Sequence, residues 1–310
     1  MFAGAMLVAM AIDASLGWPA TLYRRLGHPV TWLGALIGAL DRRWNHGPDT
    51  ARRIAGTMAA LLVIGVAAGA GWLVQAMLPG GWAGMLLTGI LAWPLVALRS
   101  MHDHVRAVAK PLAAGDLGAA RRAVSMIVGR DPAALDAPGV ARAAIESLAE
   151  NSSDGIVAPL FWGALLGLPG IAGYKAVNTL DSMIGHRTPR HRAFGWAAAR
   201  IDDAANLVPA RLTGAIFALV SARPAAALRV MARDAGQHRS PNAGWPEAAM
   251  AGALGVRLSG PRTYAGTVST EPWVNEGGRD PAAHDLGRAL ALYRRAMGLC
   301  AALLAGAALI

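Results

Sequence analysis

Acidic side chains gather in three places along this sequence, each at the edge of an apolar run. Glu146, Glu150 and Asp154 follow one another at four-residue spacing in Glu146-Ser-Leu-Ala-Glu-Asn-Ser-Ser-Asp154. On a helix that spacing stacks them on nearly one face, where three like charges repel. A sequence keeps such a stack when a cation or a basic substrate cancels the repulsion. Hard oxygen ligands at this spacing suit Mg²⁺, which bridges protein carboxylates to phosphate oxygens. A solvated helix start, with acids near the positive dipole end, accounts for this stretch alone equally well. Two further clusters tip the balance: Asp181 closes Asn178-Thr-Leu-Asp181, and Asp202-Asp203 stands a turn before Asn206. Ionisable groups beside apolar segments are costly, and function is the default reading of them. Lys175 and Arg187, Arg190, Arg192, Arg200 and Arg211 are interleaved with these acids. Carboxylates for a metal and cations for phosphate are the working parts of phosphoryl chemistry.

A second dense stretch is Arg233-Asp234-Ala-Gly-Gln-His238-Arg-Ser240-Pro-Asn242-Ala-Gly244. Asp234 and His238 lie one turn apart if this part is helical, and Ser240 to Gly244 is a turn whose backbone N–H groups can face an anion. A plain turn between two amphipathic helices is the stronger reading from composition alone. Asp13, Gly27-His28-Pro29 and Trp32 form a smaller cluster, and spacing gives His28 no catalytic role. There is no P-loop, no strand followed by G-x-G-x-x-G, no H-E-x-x-H, no C-x-x-C and no G-x-S-x-G. Any ATP bound here is held without a P-loop.

The elements that must position these groups are apolar. Of 310 residues 55% are hydrophobic and 15% charged, against about a quarter charged in a soluble domain. Mean hydropathy is +0.38. Net charge is +10 and lysine occurs only at 110 and 175, so arginine carries the positive charge. Basic loops beside apolar runs fit a membrane protein better than a nucleic-acid binder, and no nucleic-acid partner is expected. The lone Cys300 excludes a disulfide framework within the chain.

A span needs about 20 apolar residues. Gly56 to Leu78 and Gly80 to Leu98 meet that standard, the second broken at Pro94. The uncharged Pro79-Gly80-Gly81 turn between them predicts a transmembrane hairpin. Arg42, Arg43, Arg52 and Arg53 precede it, and Arg99, Arg106 and Lys110 follow, which puts its flanks in the cytoplasm. The runs 1–12, 156–173 and 204–220 are short or carry Pro159, Pro169, Pro209 and Arg211, as segments do when protein or a cavity shields them. A re-entrant or interfacial placement of 156–173 keeps the following arginine-rich loop on the cytoplasmic side. Residues 99–148 read as helical, with breaks at Asp131-Pro132 and Pro138-Gly139. The expected fold is all-α: one polytopic membrane domain over 1–310, with several transmembrane or re-entrant helices and large helical cytoplasmic loops.

The residues from Glu146 to Trp162 and from Gly173 to Gly185 resemble the central motifs of the adenosylcobinamide-phosphate synthase family of cobalamin biosynthesis, the CbiB/CobD type. Phe194-Gly195, Ala199-Arg-Ile-Asp-Asp203, Pro209-Ala-Arg-Leu212, Arg233-Asp234, Ser240 to Met250 and Gly260 to Tyr264 continue the likeness. Gly27-His28-Pro29 and Trp32 fit its N-terminal pattern. An aromatic is expected where His186 stands.

The resemblance implies a multi-pass protein of a bacterial-type inner membrane. It implies amide formation between adenosylcobyric acid and an amino-alcohol phosphate, with ATP and Mg²⁺ required. It also implies a lipid bilayer around the chain and other membrane-associated cobalamin-assembly enzymes as neighbours. On this reading Glu146, Glu150, Asp154, Asp181, Asp202 and Asp203 hold the metal, with Glu146, Glu150, Asp181 and Asp202 as catalytic candidates. Lys175, Arg187, Arg200 and Arg211 bind phosphate. Asn151, Asn178, Asn206, Asn242, Asp234 and Ser240 orient substrate. A membrane prenyltransferase using Mg-diphosphate, a cation transporter with buried acids and a sensor of related fold are the alternatives. The first needs isoprenoid diphosphate and no ATP, and the second predicts paired broken helices, of which the sequence shows no repeat.

Overall fold

The computed structural model describes residues 1–129, 131–264, 267–269 and 271–310, with backbone alone between 262 and 269, so the Tyr264 side chain of the motif above lies outside the described residues. The chain runs as α1 Phe2–Leu16, α2 Ala20–Leu26, α3 Pro29–Trp44, α4 Asp49–Met77, α5 Gly81–Ala92, α6 Leu98–Ala113, α7 Leu117–Val124 and α8 Ala137–Ser152. A π-helical turn, Ser153–Val157, leads to α9 Ala158–Leu166, α10 Leu168–Ile184, α11 Trp196–Ala205, α12 Leu207–Val220, α13 Pro224–Asp234 and α14 Gly244–Leu254. Four strands of two or three residues precede α15, Ala283–Leu309. The protein is an all-α polytopic membrane protein. Among the described residues three stretches are long and apolar enough to cross a membrane, namely Asp49–Met77, Gly81–Ala113 and Ala283–Leu309, or up to five if each of two bent helix pairs is one span.

Contacts divide the chain into two compact units: residues 1–97, 158–206 and 303–310, and residues 98–157 and 207–302. In the first unit α4 packs on α10. Small residues allow this: Gly56, Ala59, Ala60, Val63, Ala67 and Gly71 recur along one face of α4, the pattern by which helices approach closely in lipid. A side chain at Gly71 would strike the Leu168 carbonyl, one at Gly173 would reach Ala68, and one at Gly56 would strike the Phe194 carbonyl. The two helices are therefore antiparallel. Ile37 and Leu40 of α3, Leu180 and Ile184 of α10, and Phe194 complete this core. On its other face α4 exposes Ile54, Met58, Leu61, Leu73 and Trp72.

The expected hairpin forms in sequence but not in packing. Helix α5 lies against α1 rather than α4, where Gly89 approaches Val8 and Gly4 approaches Met85. At Pro94 the apolar run turns into a single 3-10 turn, Trp93–Leu95, because proline supplies no N–H. The run 156–173 breaks at Gly167 (φ 72) rather than at its prolines. Pro169 opens α10, where its missing donor costs nothing. The nine residues of α9 rise only about 14 Å, short of a bilayer core.

In the second unit α14 packs on α12, α13 and α8, and α6 packs on α7 and α8. Pro138-Gly139 does not break a helix as expected but begins α8, capped by the Asp136 side chain accepting from Gly139 N–H at 2.8 Å. Arg142 and Arg257 stack on Trp273, at 4.7 and 4.2 Å, and both bond Asp280. These two arginines hold the Asp280 carboxyl below its ordinary range.

Candidate functional site

The residues singled out in the sequence fall into both units. Lys175, Asn178, Asp181, Arg187, Arg200, Asp202, Asp203 and Asn206 belong to the first; Glu146, Glu150, Asn151, Asp154, Arg211, Asp234, Ser240 and Asn242 belong to the second.

In the first unit Asp181 lies in the last turn of α10. Burial raises its pKa most; the neighbouring Asp203 adds to that, and His186 opposes it. Gly185 leaves room for this carboxylate, because a side chain there would strike Asp181 Oδ1. Arg200 pairs with Asp203 at 3.0 Å, a contact within α11. Asp202, on the preceding position, is buried and accepts from Asn206 Nδ2 at 3.0 Å; the Tyr174 hydroxyl donates to Asn206 Oδ1 at 2.8 Å. Asn206 thus spends its amide inside the protein, orienting Asp202 between α10 and the end of α11. Tyr174 was passed over in the sequence, although it adjoins Lys175 inside the Gly173–Gly185 block. Lys175 is buried, within electrostatic reach of His28.

In the second unit the acidic stack changes character. Glu146 is buried, and its Oε1 accepts from Ser259 N–H at 2.6 Å. Ser259 has φ 58, strained for a residue other than glycine, and Glu146 fixes it there. Glu150 is exposed and Asp154 half-buried. Asp154 lies in the π turn rather than on α8, so the expected single helical face carries Glu146 and Glu150 and then loses register. A π turn is rare and concentrates at functional sites. Asn151 donates to the Ser147 carbonyl at 2.9 Å.

The second dense stretch is also built differently from its expectation. Helix α13 ends at Asp234, so Asp234 and His238 are not one turn apart on a helix. Asp234 takes a two-point contact from Arg233 at 2.6 and 2.8 Å and the Asn275 N–H at 2.7 Å. Arg233 foremost holds its pKa low, against burial. The turn donors expected to face an anion are used internally. Ser240 Oγ accepts from the N–H groups of Asn242 and Ala243, and His238 Nδ1 accepts from Ser240 N–H at 3.0 Å. Arg211 lies over the Trp245 ring at 4.5 Å, with Asn242 Oδ1 at 3.4 Å. Sequence reasoning missed Glu247, buried 3.8 Å from His238, though it stood in the quoted motif.

No group of three or more His, Cys, Asp or Glu among the described residues is placed to hold a metal by protein ligands alone. Mg²⁺ does not need one, since it takes one or two carboxylates together with substrate phosphates. Asp181 and Asp203 fit that demand: like charges that act on one another, both half-buried. A cavity of about 400 Å³ in the first unit, lined by Pro29, Leu33, Val66, Val74, Leu91 and Ala172 among others, is apolar and offers phosphate nothing.

The profile of the CobD/Cbib protein family matches residues 6–293. The chain belongs to the CobD/CbiB family. A relative from Rhodobacter capsulatus, named Cobalamin biosynthesis protein CobD, is 69% identical over 296 residues, covering 96% of this chain and 94% of its own. Proteins of the same name from a Sinorhizobium species and from Brucella suis biovar 1 are 48% and 46% identical, with 93% and 98% of this chain covered and 92% and 96% of theirs. No solved structure matches. The CobD/CbiB match contains every site residue named above.

Proposed function

We propose that this cobalamin biosynthesis protein is an ATP-dependent ligase, joining adenosylcobyric acid to (R)-1-amino-2-propanol O-2-phosphate or an analogue to give adenosylcobinamide phosphate. The family match over residues 6–293 carries the reading. The chemistry explains why acids and cations are both needed. A corrinoid carboxylate oxygen attacks the γ-phosphorus of ATP, ADP leaves, and an acyl phosphate forms. The amine then attacks the acyl carbon, inorganic phosphate leaves, and the amine's proton passes to a base.

Asp181 and Asp203 would hold Mg²⁺, which would supply positive charge to the nucleotide's phosphates. Burial and Asp203 raise the Asp181 pKa, so a cation beside the two carboxylates would relieve a cost that the folded chain carries without it. Tyr174 and Asn206 hold Asp202 in one orientation. Lys175 supplies a buried cation for a phosphate, and Arg211 on Trp245 a planar one. Glu146 keeps the backbone at Ser259 in place.

Alanine at Asp181 or at Glu150 is expected to lower turnover at least about 100-fold, the cost of removing one electrostatic partner in a site of this kind. Elution in detergent stays that of the folded chain, and the thermal midpoint does not fall. Full activity in both variants contradicts the assignment.

A further inference from the structure

Two arginine-rich segments far apart in sequence are brought onto one surface of the first unit. Arg190 bonds Asp41 Oδ2 at 2.7 Å, and Arg192 bonds Asp49 Oδ2 at 3.0 Å. Arg52 donates to Asn45 Oδ1 at 2.7 Å and to the Pro189 and Arg190 carbonyls. These bonds tie the loop 187–192 to the end of α3 and the start of α4. Arg53 stacks on Trp196 at 4.9 Å. Among the described residues Arg52, Arg190 and Arg192 pair here with two acids, Asp41 and Asp49, while Arg42 and Arg43 follow Asp41 at the end of α3 and Arg53 follows Arg52 on α4; all of these arginines but Arg52 are exposed. Arg42, Arg43 and Arg53 form no ion pair among the described residues. The surplus of positive charge therefore faces outward.

What lies beside this surface identifies its partner. Within a turn and a half of Arg53, α4 exposes Ile54 and Met58, 59% and 58% accessible, and its outer face stays apolar to Met77. Trp196, 44% accessible, stands at the same boundary, where amphipathic rings settle at headgroup level. A soluble phosphate compound meets charge alone. A bilayer meets both, with hydrocarbon against Ile54 and Met58 and phosphodiesters against the guanidinium forks. We propose that the surface formed by the end of α3, the start of α4 and the 187–192 loop docks anionic lipid headgroups. The arginines that carry it, at 42, 43, 52, 53, 190 and 192, are not those assigned above to phosphate, and its function does not depend on the ligase reading.

The test uses the full chain in detergent, titrated with phosphatidylglycerol, cardiolipin or phosphatidylcholine and followed by native mass spectrometry. The anionic lipids are expected to saturate the protein at least tenfold below phosphatidylcholine. The triple exchange Arg42→Gln, Arg43→Gln, Arg53→Gln, which leaves Asp41 and Asp49 paired, is expected to abolish that preference, and the corresponding lysine triple to keep it. Mg-ATP and inorganic phosphate are expected to leave lipid occupancy unchanged. Equal retention of the lipids overturns the proposal, as does an unaltered preference in the glutamine triple. Displacement by inorganic phosphate also overturns it, because the surface then takes a soluble anion. If the glutamine triple melts early, Arg42→Gln and Arg43→Gln made singly supply the comparison, each expected to weaken the preference; no effect from either overturns the proposal.

Discussion

At the scale of the residue, Asp181 is a carboxyl group that folding makes harder to ionise. Its folded pKa is raised by burial and by Asp203, so the folded chain binds its proton more tightly than the unfolded chain does. Stability then falls as pH rises through the window between the ordinary aspartate value and the raised one, and the cost is complete above it. Asp181→Asn, isosteric and uncharged, lacks that cost. It is expected to melt higher than the natural protein at neutral pH, with the difference vanishing in acid below the ordinary aspartate range. A difference independent of pH, or of opposite sign, contradicts the burial of charge at this position. The sequence made Asp181 legible because an acid at the end of an apolar run is expensive. It could not separate Glu146 from Glu150, since spacing puts both on one face and is silent about Ser259, which lies 113 residues further on. Asp234 was legible as a special residue, but its partner Asn275 sits outside the motif that drew attention to it.

At the scale of the element, hydropathy located α4 to within one residue of its C-terminal end, because an apolar run that long has one stable form in a bilayer. Its polar first turn, Asp49 to Arg53, is helical beyond the apolar run. Packing partners were not legible. A short uncharged turn suggested α4 against α5, whereas the small-residue stripe of α4 selects α10. The π turn after α8 leaves no mark in hydropathy, and it alone removes Asp154 from the helical stack. The stripe can be tested directly. Gly56→Ala places a methyl against the Phe194 carbonyl, and such overpacking costs about 1–3 kcal/mol. The thermal midpoint is expected to drop by several degrees. Gly65→Ala on the same helix meets no atom within 4 Å and is expected to be neutral. Equal midpoints for the two variants contradict the close approach of α4 to that loop.

At the scale of the whole molecule, charge arithmetic and apolar content announced an α-helical membrane protein, and the central motifs announced its family. The side of the membrane on which the 187–192 loop lies depended in sequence on whether 156–173 spans. Its ion pairs to Asp41 and Asp49 join it to the arginine-bearing end of α3 and first turn of α4, so both arginine-rich segments share one side. That arrangement agrees with the concentration of basic residues on a single face of a bilayer. The family role, amide formation driven by ATP, is tested most directly by phosphate release. The detergent-purified full chain is supplied with Mg-ATP, adenosylcobyric acid and (R)-1-amino-2-propanol O-2-phosphate, together and with each left out in turn. Release is expected only when all three are present, with a corrinoid product heavier by the amino-alcohol phosphate less one water. Release that ignores the corrinoid, or product formed without ATP, would contradict the ligase.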